Sequence, residues 1–262
     1  MPTVTTHVTG TFCWPELATS DQNAAKKFYA GLFGWEIKDQ DMGPHGIYTI
    51  FTLKGQDVAA AFTLMPEMTK NGVPPNWGSY ITVENTDQSI EKAKSLGGTL
   101  LMGPQDVMDH GRMAVIQDPQ GATFSVWQSK ATSGIGILNE PGSLAWTQLN
   151  ARDTAAAKKF YPALLGWKMQ DDEMPGSGTY TTFLKADGMA GGMMAMPPGE
   201  KMPAHWLPYF ASADVDATAK KAGSLGAQTY VPPTDIPGVG RFAVLADPQG
   251  ATFALIKFLP QK

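Results

Sequence analysis

Cysteine is nearly missing from this chain. Cys13 is the one cysteine among 262 residues. A single thiol excludes a disulfide within the chain, and it also excludes a metal centre built from several thiolates. Basic residues are scarce as well, since 20 Lys and Arg are outnumbered by 24 Asp and Glu and the net charge is −4. The sequence therefore lacks the positive footprint of a protein that binds nucleic acid through its phosphates.

Long apolar runs and familiar catalytic motifs are missing too. No uninterrupted apolar run approaches the ~18 residues typical of a membrane span. The polar start of the chain, 1–11, lacks the basic and apolar regions of a secretory signal. There is no glycine-rich phosphate loop, no nucleophile elbow and no redox pair of cysteines. These absences predict a cytoplasmic protein with neither a membrane nor a nucleic acid as its partner.

What the chain does contain is a long internal repeat. Near the start of each copy the offset is 132 residues, and later it falls to 129, so three residues are lost in between. The matched pairs include Trp14/Trp146, Phe28/Phe160, Tyr29/Tyr161, Gly34/Gly166, Trp35/Trp167, Tyr48/Tyr180, Arg112/Arg241 and the identical runs 118–124 and 247–253. The repeat predicts two domains, 1–130 and 144–262, each long enough to bury its own core, with 131–143 as the linker.

Each copy predicts the order β-α-β-β-β twice. Asp21 is a good helix N-cap, apolar residues then recur at helical spacing, and Gly34 is the expected helix stop. The run Asp118-Pro-Gln-Gly is typical of a type I turn between two strands. In the second copy Pro162 falls inside the predicted helix, where a proline usually causes a kink. Further predicted elements are strands at 12–19, 36–39, 47–54, 57–65, 78–83, 99–102, 112–117 and 123–128, and a helix at 87–96.

These features resemble the vicinal oxygen chelate superfamily, which includes glyoxalase I, bleomycin-resistance proteins and extradiol dioxygenases. The resemblance rests on the four βαβββ modules, the Leu-Phe-Gly-Trp helix stop and the Asp-Pro-x-Gly turn, and it covers nearly the whole chain. It implies an α+β fold of two tandem domains of the glyoxalase/bleomycin-resistance/dioxygenase type, whose curled mixed sheets form cups. Catalytic members hold a divalent metal in the cup through His, Gln or Glu, where it acts as a Lewis acid.

Carrying the family's metal ligands over to this sequence gives three positions in each copy. They are Trp14, Gly78 and Ser125 in the first copy, and Trp146, Leu207 and Ala254 in the second. None of these is a usual divalent-metal ligand, so no metal cofactor is expected. A displaced site for Zn, Ni, Mn or Fe stays open as an alternative, with Glu16 and His205 meeting in a cup between the domains.

Aromatic residues at or near the ligand positions predict a site for a flat or apolar organic molecule. Polar residues belong to the predicted site as well. Gln148 replaces Glu16 in the second copy, and Arg112 and Arg241 are candidate anchors for an anionic group, although a structural ion pair explains them equally well. The aromatic candidates are Trp14, Tyr48, Trp77, Trp146, Tyr180 and Trp206.

Three functions follow as expectations. The first is a metal-independent small-molecule-binding protein of the glyoxalase/bleomycin-resistance type, acting in resistance or detoxification as a monomer or homodimer. The second is a glyoxalase I-like lyase or isomerase that uses a displaced metal or Glu16 as general base, because a carboxylate beside tryptophans has a raised pKa. The third is an interaction protein whose cups are vestigial.

Overall fold

The protein is an α+β molecule built from two eight-stranded mixed sheets, one from each half of the chain. The computed structural model describes residues 4–174, 178–200 and 202–260. Among these residues, no helix has both the length and the apolar character needed to cross a membrane.

The first half follows the predicted order of elements. Two βαβββ modules are present, with a short 3-10 turn at Gly43–His45 inside the first module and a short extra helix at Pro66–Lys70 between the two modules. The elements are β1 (Phe12–Thr19), α1 (Gln22–Phe33), β2 (Glu36–Asp41), β3 (Ile47–Leu53), β4 (Gln56–Thr63), α2 (Pro66–Lys70), β5 (Asn76–Thr82), α3 (Thr86–Ser95), β6 (Thr99–Val107), β7 (Gly111–Gln117) and β8 (Thr123–Ser129).

The described residues of the second half repeat this arrangement without a counterpart of α2. Its elements are β9 (Leu144–Ala151), α4 (Thr154–Leu165), β10 (Lys168–Met174), β11 (Gly178–Lys185), β12 (Gly188–Ala195), β13 (His205–Ala211), α5 (Val215–Ser224), β14 (Gln228–Ile236), β15 (Gly240–Ala246) and β16 (Thr252–Phe258).

The two modules of each half share one sheet. In the first half the strand order is β2-β3-β4-β1-β5-β8-β7-β6, so the first strands of the two modules, β1 and β5, lie side by side at the centre and run antiparallel. Each of them pairs in parallel with the last strand of its own module, β4 or β8. The second sheet has the equivalent order and pairing.

The ends of the long helices are set by the residues that the sequence indicated. The Asp21 side chain accepts a hydrogen bond from the Ala24 backbone N–H at 2.9 Å, which satisfies one free donor of the first turn of α1. Gly34 ends the helix in the left-handed conformation at φ 72°. Helix α4 runs through Pro162 to Leu165, because the proline lies in its last turn, where only one internal hydrogen bond is lost.

The expectation that each half buries a core of its own is wrong. The two sheets pack against each other through their helix-bearing faces, and each main core combines one module from each half. One core joins the second module of the first half to the first module of the second half. The other core joins the first module of the first half to the second module of the second half. Their members include Ile81, Phe124, Phe160 and Trp167 in the former, and Phe28, Trp35, Phe210 and Phe253 in the latter.

Buried tryptophans attach each half to the start of the other. The Trp35 indole N–H donates to the Gly142 carbonyl at 2.7 Å, and the Trp167 indole N–H donates to the Gly10 carbonyl at 3.0 Å. The segment before β9 is itself packed, since Ile135 is fully buried and its backbone N–H donates to the Cys13 carbonyl. The residues predicted as a linker therefore form part of the contact between the two halves.

Candidate functional site

The face of each sheet that points away from the shared cores is concave. Side chains alternate between the two faces along a strand, so Leu17 and Trp77 enter the core while Trp14 and Glu16 face the concavity. We call the concave face of the first sheet the first cup and that of the second sheet the second cup. The first cup is formed around Trp14, Glu16, Tyr48, Gly78, Tyr80, Ser125 and Trp127.

Glu16 lies at the centre of a hydrogen-bonded network in the first cup. The Tyr48 hydroxyl donates to Glu16 Oε1 at 2.6 Å, and the Tyr80 hydroxyl donates to Oε2 at 2.8 Å. The Trp14 indole N–H donates to the Tyr48 hydroxyl oxygen at 3.1 Å. Strand pairing brings these groups together, because Trp14 lies opposite Tyr80 and Tyr80 lies opposite Ser125.

The direction of these hydrogen bonds defines the chemistry of the cup. An indole N–H can only donate, so the oxygen of Tyr48 accepts from Trp14 and its proton goes to Glu16. The Tyr80 hydroxyl likewise gives its proton to Glu16. Both chains of donors therefore converge on the carboxyl group, which accepts at both oxygens. This arrangement suits an ionised carboxylate.

Burial shifts the ionisation of all three acidic groups. Loss of solvent raises the pKa of Glu16, and the hydrogen bonds from Tyr48 and Tyr80 offset part of this rise. Burial and the nearby Glu16 carboxylate raise the pKa of both tyrosines well above their usual range. Both hydroxyl groups therefore keep their protons at neutral pH and remain donors to Glu16.

Glu16→Gln is expected to become more stable relative to the wild type as the pH rises. A carboxyl group with a raised pKa in the folded protein stabilises the fold while it is protonated. Its contribution is greatest below its ordinary value of about 4.3 and is lost as the pH rises through the folded value. Glutamine has no such proton. Urea unfolding at about pH 4 and about pH 8 measures the change in the stability difference.

The control for this prediction is Glu36→Gln, which makes the same substitution at an exposed strand position. Its stability difference from the wild type should be the same at both pH values. A constant difference for Glu16→Gln would contradict the prediction.

The second cup has the same framework but different polar groups. The Trp146 indole N–H donates to the Tyr180 hydroxyl at 2.8 Å, as Trp14 does to Tyr48. Gln148 occupies the place of Glu16 and accepts from the Tyr209 hydroxyl at 3.2 Å. The surrounding residues are largely apolar, and they include Leu207, Ala254, Ile256, Phe242 and Val244.

A chain of amides continues from Gln148 to the edge of the second cup. Gln148 Nε2 donates to Asn150 Oδ1 at 2.8 Å, and Asn150 Nδ2 contacts His205 Nε2 at 2.9 Å. His205 Nδ1 contacts the Pro203 carbonyl at 2.9 Å, so it carries the proton and Nε2 is the acceptor. Burial lowers the pKa of His205, which favours this neutral form.

Two of the predicted aromatic residues do not line a cup. Trp77 and Trp206 directly precede the cup-facing positions Gly78 and Leu207. They therefore point to the opposite face of the sheet and are buried in the shared cores. Their indole N–H groups donate to the Tyr29 and Tyr161 hydroxyls at 2.9 and 3.1 Å. The prediction that Trp77 and Trp206 belong to the ligand-binding surface is therefore wrong.

The two predicted arginine anchors also lie outside the cups. Arg112 makes two hydrogen bonds to Asp87 on α3, at 2.9 and 3.0 Å. Arg241 forms the equivalent pair with Asp216 on α5 and a further bond to Asp235. Both arginines are structural ion pairs at the edges of the sheets, which was the alternative left open, and neither is placed to anchor a ligand.

The donor set of the first cup does not fit the metal of the catalytic relatives. At the ligand positions carried over from the family, Trp14 donates a hydrogen bond, Ser125 offers only a hydroxyl group and Gly78 has no side chain. The displaced site is wrong as well, because Glu16 and His205 lie on different sheets whose cups open away from each other. Within residues 4–174, 178–200 and 202–260, no three His, Cys, Asp or Glu side chains are grouped to hold a metal ion.

Three aromatic residues of the cups were not among the site residues predicted from the sequence. Tyr80 and Tyr209 hold the carboxyl of Glu16 and the amide of Gln148, and Trp127 packs against Tyr80 with ring centroids 6.4 Å apart. Strand alternation would have found them. Each tyrosine follows an inherited ligand position by two residues, as Trp127 follows Ser125, and therefore shares its face.

Comparison with known proteins gives the family. The sequence model of the Glyoxalase/Bleomycin resistance protein/Dioxygenase superfamily matches twice, at residues 6–126 and 143–255. A Mycobacterium tuberculosis protein named "Putative glyoxylase CFP32" is 42% identical over 263 residues, covering 100% of both chains. The Anthracycline biosynthesis protein DnrV of Streptomyces peucetius is 34% identical over 258 residues, covering 95% of this chain and 93% of its own.

Solved structures share the fold at low sequence identity. The Mn(II)-bound glyoxalase from Novosphingobium aromaticivorans superposes with a TM-score of 0.65 at 14% identity, covering 96% of this chain and 84% of its own. The 2,3-dioxygenase LapB from Pseudomonas sp. KL28 gives a TM-score of 0.64 at 14% identity, with 98% and 96% covered. The repeated βαβββ modules, the two cups and these matches together place the chain in the glyoxalase/bleomycin resistance/dioxygenase superfamily, also called the vicinal oxygen chelate superfamily.

Proposed function

We propose that the protein binds a flat aromatic organic molecule in the first cup, without the divalent metal of the catalytic relatives. The observation that carries the proposal is that the first cup lacks the family's ligand set and holds aromatic residues around the Glu16 carboxyl group. Trp14, Tyr48 and Trp127 are only partly buried, so their rings are accessible from the concave side. Aromatic walls with a few oriented polar groups are typical of sites for flat organic ligands.

The relatives support the same class of ligand. The full-length match to an anthracycline biosynthesis protein links this sequence family to a polycyclic aromatic compound, and such a ring system has the shape that stacks on a tryptophan face. We propose that the biological role is detoxification or resistance, in which the protein sequesters such a compound.

Trp14→Leu is expected to weaken binding of an anthracycline by about tenfold or more, because it removes one of the two partly exposed tryptophan rings of the first cup and its contact area. The measurement is quenching of the ligand's own fluorescence in a titration with wild-type and variant protein. Trp146→Leu makes the same change in the second cup and is the matched control for a site in the first cup.

Two outcomes would count against this assignment. Equal loss in both variants would mean that the cups bind alike, and loss in Trp146→Leu alone would move the site to the second cup. No binding by the wild type would reject an anthracycline as the ligand.

A glyoxalase-type lyase or isomerase is the second candidate, and one observation favours it. The raised pKa of Glu16 would suit a general base. However, glutathione adducts carry carboxylates. An anion held at ~5 Å from the Glu16 carboxylate costs roughly 3 kcal/mol at an effective dielectric constant of about 20. This repulsion favours the binding function.

A turnover assay with glutathione and methylglyoxal separates the two candidates. It is run with and without added Zn, Ni, Mn or Fe, on the wild type and on Glu16→Gln. Turnover by the wild type that disappears in the variant would establish the enzyme and overturn the first proposal.

A further inference from the structure

Glu16 is a carboxylate without a positively charged partner. Among the ion pairs formed by the described residues, none includes Glu16. The groups that act on it most strongly are its apolar surroundings and two neutral tyrosines, Tyr48 and Tyr80. A partly buried charge of this kind normally has an opposite charge nearby, because the loss of hydration is expensive. None of the residues that the structure describes supplies that charge in an ion pair.

The carboxylate also keeps unused capacity to accept hydrogen bonds. Its two oxygens offer about four acceptor sites in total. Tyr48 takes one site on Oε1 and Tyr80 takes one on Oε2. One further site on each oxygen is therefore left for a donor from outside the chain. Glu16 is only partly buried, so the protein does not cover it completely.

The aromatic rings around Glu16 favour a cation over a neutral donor. The ring faces of tryptophan and tyrosine carry negative charge density and attract ammonium groups within about 6 Å. Trp14 and Tyr48 are linked by a hydrogen bond on one side of the carboxylate, and Tyr80 and Trp127 pack together on the other. An ammonium group bound at Glu16 would therefore have aromatic residues on the neighbouring strands of the sheet.

We propose that the first cup selects an organic cation, namely a protonated amine carried on a flat aromatic ring system, and that Glu16 is the group that recognises it. The ammonium N–H groups fill the two open acceptor sites, and the aromatic rings surround the charge. The inference rests on the proposed function, since it names the class of ligand that the first cup takes.

The second cup provides an internal contrast. Gln148 replaces the carboxylate by a neutral amide whose oxygen accepts from Tyr209 and whose nitrogen donates to Asn150. The chain ends at neutral His205, which is already bonded on both ring nitrogens. No charge is left without a partner in this network, so the second cup has no reason to prefer a cation.

A matched series of three-ring ligands tests the inference on the whole protein. The probes are 9-(aminomethyl)anthracene, which is a cation at neutral pH, 9-(hydroxymethyl)anthracene, which is neutral, and anthracene-9-carboxylate, which is an anion. Their sizes are nearly equal and all are fluorescent, so titrations report the dissociation constants directly. The wild type is expected to bind the ammonium at least tenfold more tightly than the alcohol and to bind the carboxylate most weakly.

Glu16→Gln identifies the group responsible. The variant should lose the preference for the ammonium while its affinity for the alcohol changes little, because the stacking surface is retained. Gln148 occupies the equivalent place in the second cup, so the framework accommodates a glutamine there. Glu84→Gln, at an exposed position outside the cup, is the control and should keep the preference.

The outcomes separate this inference from the proposed function. Equal binding of all three probes, or preference for the anion, would overturn cation selection and leave the aromatic site standing. A preference for the ammonium that survives in Glu16→Gln would also overturn it. Failure of all three probes to bind would instead count against the proposed function itself.

Discussion

Phe253→Ala is expected to lower the free energy of unfolding of the whole chain by about 3–5 kcal/mol. Phe253 belongs to the second half and is fully buried. Its ring lies within contact range of aromatic side chains from both halves, with centroid distances of 5.7 to 6.3 Å, and these are Phe28, Tyr29, Phe33 and Phe210. Alanine would leave a cavity in a core that the two halves share.

Urea unfolding followed by tryptophan fluorescence measures this effect, because buried tryptophans occur in both halves, Trp35 in the first and Trp167 in the second. The variant should unfold in one transition at a lower urea concentration. Phe258→Ala is the matched control, since Phe258 is 43% exposed and its loss should cost much less. A variant in which only the second half unfolds early would contradict a shared core.

Asp247→Ala is expected to cost a comparable amount, about 3–5 kcal/mol. Asp247 Oδ1 accepts the backbone N–H groups of Gln249 and Ala251, and Oδ2 accepts the Tyr29 hydroxyl at 2.9 Å from the other half. Removing the carboxylate leaves three buried or partly buried donors without an acceptor, and each such loss costs about 1–3 kcal/mol. Asp118 and Tyr161 form the equivalent contact in the other direction.

The stability of Asp247→Ala is measured by the same urea titration. Asp247→Asn should be less damaging because one acceptor oxygen is retained. Asp235→Ala removes an aspartate whose side chain is 76% exposed and should change stability little. If Asp247→Ala were as stable as Asp235→Ala, the contact between the Asp-Pro-Gln-Gly turn and Tyr29 on helix α1 would not hold the halves together.

Residues repeated in both copies also join the two halves of the protein. Tyr29 and the turn aspartate are repeated in each copy, yet each tyrosine bonds the aspartate of the other copy. The same is true of the buried tryptophans Trp35 and Trp167, which bond backbone carbonyls at the start of the opposite half. The residues that match best between the copies therefore include those that join the halves, as well as those that shape each half.

The sequence predicted the elements of the fold because their signals are local. Asp21 caps a helix through a contact three residues away, Gly34 ends it by its own conformation, and strand residues show their face by alternation. The same locality places Glu16 beside Trp14 on one face of β1. It also predicts the chemical difference between the cups, since Gln148 occupies the equivalent position in the other half.

The tertiary structure decided which of these residues meet. Glu16 is held by Tyr48 and Tyr80, which lie 32 and 64 residues further along the chain, and Tyr29 bonds Asp247 across 218 residues. Such contacts depend on strand order, register and the packing of one sheet on the other, and they leave no periodic trace in a single sequence. The sequence by itself therefore determined four modules, their turns and the replacement of the metal ligands by aromatic residues. Only packing across the whole chain decided that the cores are shared and that a carboxylate without a counter-charge lies in the first cup.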